Sequence, residues 1–157
     1  MAGTATVDEE GRFSVTVDLP DEGHYEFTAT STVGDETSGH SAPVSVTVDR
    51  QPPGQVVDLR AEVLDASHVR LTWSPPLQAD PSGIAFYRVR RLTGDPPEEV
   101  LFDNITPGAP GEEIAWLDSG LTALTEYTYE VWAVDGAGNE GIPAEVKATT
   151  TTGQDPV

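Results

Sequence analysis

The stretch Leu121–Gly141, LTALTEYTYEVWAVDGAGNEG, decides the fold. From Thr125 it alternates Thr125, Tyr127, Tyr129, Val131 and Ala133 against Glu126, Thr128, Glu130 and Trp132, the period of two that a half-buried strand requires. The first set is expected to face a core. The alternation stops at Asp135-Gly136-Ala137-Gly138-Asn139, where two glycines and an asparagine suit the positive-φ positions of a tight turn. It resumes at Ala144-Glu145-Val146-Lys147-Ala148, so the stretch is expected to be a strand, a loop and a returning strand.

The same period runs through the sequence upstream. His68 to Trp73 places Val69, Leu71 and Trp73 on one face, and Ser74-Pro75-Pro76 ends that strand; Val56 to Leu64 forms the strand before it. Ile84 to Arg91 turns Tyr87 and Val89 inward and Phe86, Arg88 and Arg90 outward. Shorter strands are expected at Val100-Leu101-Phe102 and at Ile114-Ala115-Trp116-Leu117, separated by the Pro/Gly loop from Thr106 to Gly111. Seven short strands within about 95 residues suit two sheets packed face to face.

Before Arg50 the pattern is thinner. Thr4 to Val7 and Arg12 to Val17 alternate around Asp8-Glu9-Glu10-Gly11, which predicts a hairpin with Phe13, Val15 and Val17 on one face. Tyr25, Phe27 and Ala29 share a face of a third strand. The polar stretch Gly34 to Gly39 then leads to Val44, Val46 and Val48 in a fourth. Arg50-Gln51-Pro52-Pro53-Gly54 marks the boundary, because two prolines fix the backbone and remove two donors. The expected organisation is a partial unit at 1–49, a Pro-rich linker at 50–54, a complete domain at 55–151 and a tail at 152–157.

Two family resemblances accompany these patterns. From Pro52 to about Thr151 the chain resembles a fibronectin type III domain, on Pro52-Pro53, on Val69-x-Leu71-x-Trp73-x-Pro75-Pro76, on Tyr87-x-Val89, and on Leu121-x-x-x-Thr125-x-Tyr127-x-Tyr129-x-Val131-x-Ala133-Val134-Asp135. Residues 3–49 resemble the second half of a bacterial immunoglobulin-like repeat, on Gly3-Thr4-Ala5-Thr6-Val7, Gly11-Arg12-Phe13-Ser14, Gly23-His24-Tyr25 and Ser41 to Asp49. The fold class implied is all-β, an immunoglobulin-like β-sandwich of the fibronectin type III kind plus a partial immunoglobulin-like β unit. A whole sandwich of the second family has roughly 100 residues, so residues 3–49 lack its first strands, and either the sequence starts inside a domain or another chain completes it. The first resemblance makes Trp73 the central core aromatic and Tyr127 a corner tyrosine bonded to nearby backbone, with Tyr87, Val89, Tyr129 and Val131 around them. It also brings no Arg-Gly-Asp to the loop at Gly136 to Glu140, which removes that family's integrin-binding motif.

Composition excludes several functions. With 27 acidic residues against 8 basic ones the net charge is −19, which disfavours nucleic acid, since binding there rests on Lys and Arg neutralising phosphate. There is no cysteine, hence no disulfide and no thiolate metal site. No run approaches the roughly 20 apolar residues of a membrane-spanning helix. His24, His40 and His68 are scattered without the spacing of a zinc site, and no nucleophile-elbow motif accompanies any serine. No catalytic residues and no cofactor are expected.

Two binding chemistries remain. Carboxylate-rich turns near a domain junction suit calcium, with Asp49, Asp135 and Asn139 as candidate ligands beside Asp35 and Glu36, although none fits the twelve-residue calcium loop. Phe86, Arg88 and Trp132, outward on neighbouring strands beside Arg90 and Glu130, form either a cross-strand cluster covering the sheet or a contact patch for a protein or glycan. The expected function is that of a non-catalytic structural, spacer and interaction module of a larger bacterial secreted or cell-surface protein, with neighbouring domains or neighbouring copies as partners. An auxiliary or carbohydrate-binding module of a polysaccharide-degrading enzyme and a repeating subunit of a filament or virion are the alternatives.

Overall fold

A computed structural model describes residues 3–153, so most of the tail expected at 152–157 lies outside the described residues. All regular structure among the described residues is β. The chain divides into two compact units, one ending at Asp49 and the other beginning at Arg50.

The first unit holds four strands: β1 (Gly23–Phe27), β2 (Thr32–Val33), β3 (Glu36–Thr37) and β4 (Val44–Val48). β1 and β4 pair antiparallel, with Tyr25 opposite Val46 and Phe27 opposite Val44, so their apolar residues share one face of a two-stranded sheet. The start of the polar stretch that leads to the fourth expected strand folds, with Thr32 and Val33 before it, as the small β2–β3 hairpin, tipped by Gly34 at φ 62°. The hairpin expected over residues 4–17 forms only its turn. Asp8 N–H donates to the Arg12 carbonyl at 2.8 Å, and Asp8 Oδ1 accepts from Glu10 N–H and Arg12 N–H at 3.1 and 2.7 Å. Its arms are not strands. A two-stranded ladder is marginal unless a third strand or a covered face supports it, and Phe13 remains 59% exposed.

The second unit contains the seven strands expected: β5 (Val57–Val63), β6 (His68–Ser74), β7 (Ile84–Thr93), β8 (Glu98–Ile105), β9 (Ile114–Ser119), β10 (Glu126–Asp135) and β11 (Ala144–Thr149). They form a three-stranded sheet β5-β6-β9 and a four-stranded sheet β11-β10-β7-β8. β8 is longer than its apolar triplet suggested, because Glu98, Glu99 and Asp103 extend the ladder while remaining in water. The inward residues of the two sheets close one core. Val69, Leu71 and Trp73 from β6 meet Tyr87 and Val89 from β7 and Tyr127, Tyr129 and Val131 from β10, all buried. Trp73 packs edge-on against Tyr87, with centroids 5.5 Å apart at 72°, the arrangement that the quadrupoles of two rings favour. Burial alone pushes the Tyr87 hydroxyl up to about 12.

At one corner the Tyr127 hydroxyl accepts the Thr122 backbone N–H at 2.9 Å. Thr150 sits beside it, donating its hydroxyl to the Thr122 carbonyl at 2.6 Å and accepting Thr125 N–H at 3.0 Å. Tyr127→Phe keeps the ring but leaves the half-buried Thr122 N–H without its acceptor, and is expected to cost about 1–2 kcal/mol. A lowered urea midpoint at unchanged slope would be the signature; an unchanged midpoint would show that this bond contributes nothing.

Candidate functional site

Alternation along β7 and β10 sends Phe86, Arg88 and Arg90 outward beside Val134, Trp132 and Glu130, and the ladder places them in register as Phe86 with Val134, Arg88 with Trp132 and Arg90 with Glu130. The contact-patch residues Phe86, Arg88 and Trp132 therefore stand on one face. Each is engaged by its neighbours. Arg88 forks onto Asp103, Nε to Oδ1 at 3.0 Å and Nη2 to Oδ2 at 3.3 Å, also pairs with Glu140, and lies 5.5 Å over the Phe86 ring. Arg90 pairs with Glu130 and with Glu99 and lies 5.8 Å over the Trp132 ring. The Trp132 indole N–H donates to Glu140 at 3.2 Å. The hydrogen bond to Asp103 raises the Arg88 guanidinium above its ordinary value, and the same bond holds Asp103 below its own.

Trp132 is only 7% exposed, although its side chain faces away from the sandwich core. Arg90 covers the ring and Glu140 caps its edge. Stacking a sugar or a flat side chain on Trp132 would require displacing that arginine. Exposed ion pairs of this kind are worth about 0–1 kcal/mol each, so the face is ordered mainly by the aromatic and aliphatic surface beneath the charges.

Of the candidate calcium ligands, Asp135 and Asn139 stand together in the loop after β10. Asp135 ends β10 with 2% exposure. Its Oδ1 accepts the backbone N–H of Ala137 and Asn139 at 2.9 and 2.8 Å, and its Oδ2 accepts the Asn139 side-chain amide at 2.8 Å. The carboxylate thus folds its own loop, replacing water with three N–H donors, as a buried charge requires. Gly136 is needed there, because a Cβ would stand 2.7 Å from the Ser82 carbonyl oxygen. Asp80 presents an oxygen within 4.8 Å of one from Asp135, and Asp80 Oδ1 already accepts Ser82 N–H at 3.0 Å. Asp49 belongs to the other unit. Asp35 and Glu36 lie in the exposed β2–β3 hairpin.

One reactive-looking set was not anticipated. In the β5–β6 turn, His68 Nδ1 lies 2.9 Å from both Asp65 carboxylate oxygens and 3.0 Å from Ser67 Oγ. A relay requires the acid and the nucleophile on opposite ring nitrogens. Here both contact Nδ1, so the group caps a turn. The Ser67 backbone N–H, followed by the His68 side chain, lowers the Asp65 carboxyl from its ordinary 3.8 to about 2. Because the folded value is the lower one, this contribution to stability is fully present above 3.8 and fades as the pH falls through about 2. An NMR titration is expected to place Asp65 well below the other exposed carboxylates. A midpoint near 3.8 would mean that the turn does not persist in solution.

The missed residues that matter most are Arg91 and Asp118. Arg91 Nη1 lies 2.9 Å from both oxygens of Asp118, which also accepts the Tyr129 hydroxyl at 2.9 Å and the Ser119 N–H at 3.0 Å. Asp118 is 3% exposed, and the pair ties the β7 sheet to the β9 sheet. Burial, then the Asp118 charge, pushes the Tyr129 hydroxyl far up. The signal was present in the sequence: Arg91 follows Tyr87 and Val89 at an inward position.

Two sheets of three and four strands around one core make the second unit an immunoglobulin-like β-sandwich. No family model matches the chain. Among solved structures, the FN5 domain of Drosophila Lar is 23% identical with a TM-score of 0.50, over 64% of this chain and 99% of that one. The FN1-FN3 domains of chicken CNTN1 are 18% identical with a TM-score of 0.62, over 89% of this chain and 47% of that one. The second unit has the fibronectin type III fold. Exoglucanase B of Cellulomonas fimi is 31% identical over 138 residues, 83% of this chain, and the chain spans 12% of that relative's length. No helix among the described residues is long and apolar enough to cross a membrane.

Proposed function

We propose that the chain is a non-catalytic spacer and interaction segment of a larger bacterial protein that is secreted or displayed at the cell surface. The observation that carries this reading is the use of the second unit's charged groups. Arg88, Arg90, Arg91 and their acidic partners bind one another across strands, and Asp135 folds its own loop, so these groups stiffen a sandwich instead of facing a substrate. The likeness to a short part of an exoglucanase supports placement within a longer extracellular protein. An acidic coat suits that setting, since like charge keeps crowded copies apart.

A second reading is favoured by the same relative: an auxiliary module that holds a polysaccharide-degrading enzyme on its substrate. Retention on insoluble cellulose and starch separates the two. The spacer reading expects the chain to wash through with a non-binding control protein. Retention that disappears in Trp132→Ala would replace it with glycan binding.

A further inference from the structure

Among the described residues β8 has a ladder partner on one side only, and its other edge is open. Glu98 to Phe102 pair with Thr93 to Val89 without a register shift, so five residues form a regular edge before the ladder bends. In an antiparallel ladder every second residue turns both its N–H and its C=O away from the partner, and such groups accept another extended chain. The register also fixes what lies beside them. Leu101 stands opposite Arg90 and shares its outward face with Glu99 and Asp103, while Val100 and Phe102 stand opposite the inward-facing Arg91 and Val89. Val100 and Leu101 remain 38% and 49% exposed.

Charge selects the occupant. Residues 98–103 contain three carboxylates, Glu98, Glu99 and Asp103, and no cation. Arg90 divides its charge between Glu99 and Glu130, and Arg88 between Asp103 and Glu140, so four carboxylates share two guanidinium groups beside the edge. A carboxylate offers about four acceptor sites, which leaves Glu99 and Asp103 room for a second cation each. A second copy paired along β8 would set three more carboxylates against these three. Adjacent strands lie about 4.8 Å apart, inside the screening length of about 8 Å at physiological salt, so that repulsion is felt. We propose that the open edge of β8 takes, by strand addition, an extended segment of a different protein in which two lysines or arginines flank three apolar residues. The two cations face Glu99 and Asp103, the central apolar residue covers Leu101, and the other two lie beside Val100 and Phe102. This inference goes beyond the spacer reading and does not depend on it.

The test uses the whole chain, isotopically labelled, with amide exchange read by NMR in the presence of synthetic peptides of about seven residues, an ordinary strand length. One peptide carries Lys-Val-Val-Val-Lys between glycines, a second is the same but N-methylated at every valine, and a third has glutamate in place of lysine. Only the first is expected to protect β8. At ten times its Kd it should slow exchange of every second amide within residues 98–102 by about tenfold, with Val69 and Tyr129 unchanged and the effect weakened by salt. The double variant Glu99→Gln, Asp103→Asn keeps the size of both side chains and removes their charge, and should weaken binding of the lysine peptide by about fivefold. Equal protection by the N-methylated peptide would overturn the proposal, since charge alone would then suffice. So would equal binding of the glutamate peptide, unchanged binding in the double variant, protection that falls elsewhere than residues 98–102, no protection by any peptide, or peptide-free dimerisation that protects the same amides.

Discussion

Trp73→Ala is expected to leave the second unit unfolded, or close to its midpoint, in dilute buffer at room temperature. Trp73 is fully buried near the end of β6, the middle strand of its sheet, with its ring edge on Tyr87. Removing a buried indole costs about 3–5 kcal/mol, against a total of about 5–15 for a domain of this size. The Trp73 indole N–H has no hydrogen-bond partner among the described residues, so the substitution removes packing and strands no polar group. Trp73→Phe keeps an aromatic ring against Tyr87 and should cost less, about 1–3 kcal/mol. Trp116 and Trp132 report unfolding by fluorescence in both variants. A midpoint shifted by only a degree or two in Trp73→Ala would show that the core does not depend on this side chain.

The sandwich was legible because its apolar residues fall on a strict period of two. Val69, Leu71 and Trp73, like Tyr127, Tyr129 and Val131, face the core as their alternation required. The same rule misleads where it is applied to hydrophobicity instead of position. Leu117 is apolar yet half-exposed, and Asp118 is charged yet buried, because the inward positions of β9 are 114, 116 and 118. Position gives direction and not exposure. Trp132 points outward as expected, and Arg90 and Glu140 bury it from outside through contacts between strands that no local pattern records. Periodicity also cannot supply a missing neighbour. Thr4 to Val7 and Arg12 to Val17 alternate as well as β1 does, yet only β1 found a partner, in β4, seventeen residues beyond its end.

The candidate site was legible only in its membership. Phe86, Arg88 and Trp132 were expected on one face and stand there, but whether that face is open depends on Asp103 and Glu140, which arrive from β8 and from the loop after β10. Asp135 and Asn139 were weighed as cation ligands on residue type. In the fold the Asp135 oxygens accept N–H groups four residues or fewer away, two of them from Asn139, which is the commoner use of an aspartate beside a glycine-rich turn.

Arg91→Met is expected to destabilise the second unit almost as severely as Trp73→Ala. Arg91 passes between the Phe102 and Tyr127 rings, 5.5 and 5.6 Å from their centroids, and delivers its charge to Asp118. Methionine replaces much of the stem that packs there, so the variant isolates the loss of charge. Asp118 would then remain buried as an anion with only the Tyr129 hydroxyl and the Ser119 N–H to satisfy it. Breaking a buried pair from one side costs about 3–5 kcal/mol. Replacing the whole group is a different change, because the desolvation of two ions offsets most of their attraction. The triple variant Arg91→Met, Asp118→Leu, Tyr129→Phe is therefore expected to recover to within about 1–2 kcal/mol of the parent. Urea denaturation of parent, single and triple variants measures both effects. A single variant as stable as the parent would show that the pair does not hold the sheets together. A triple variant no better than the single would show that the network contributes more than the apolar packing that replaces it.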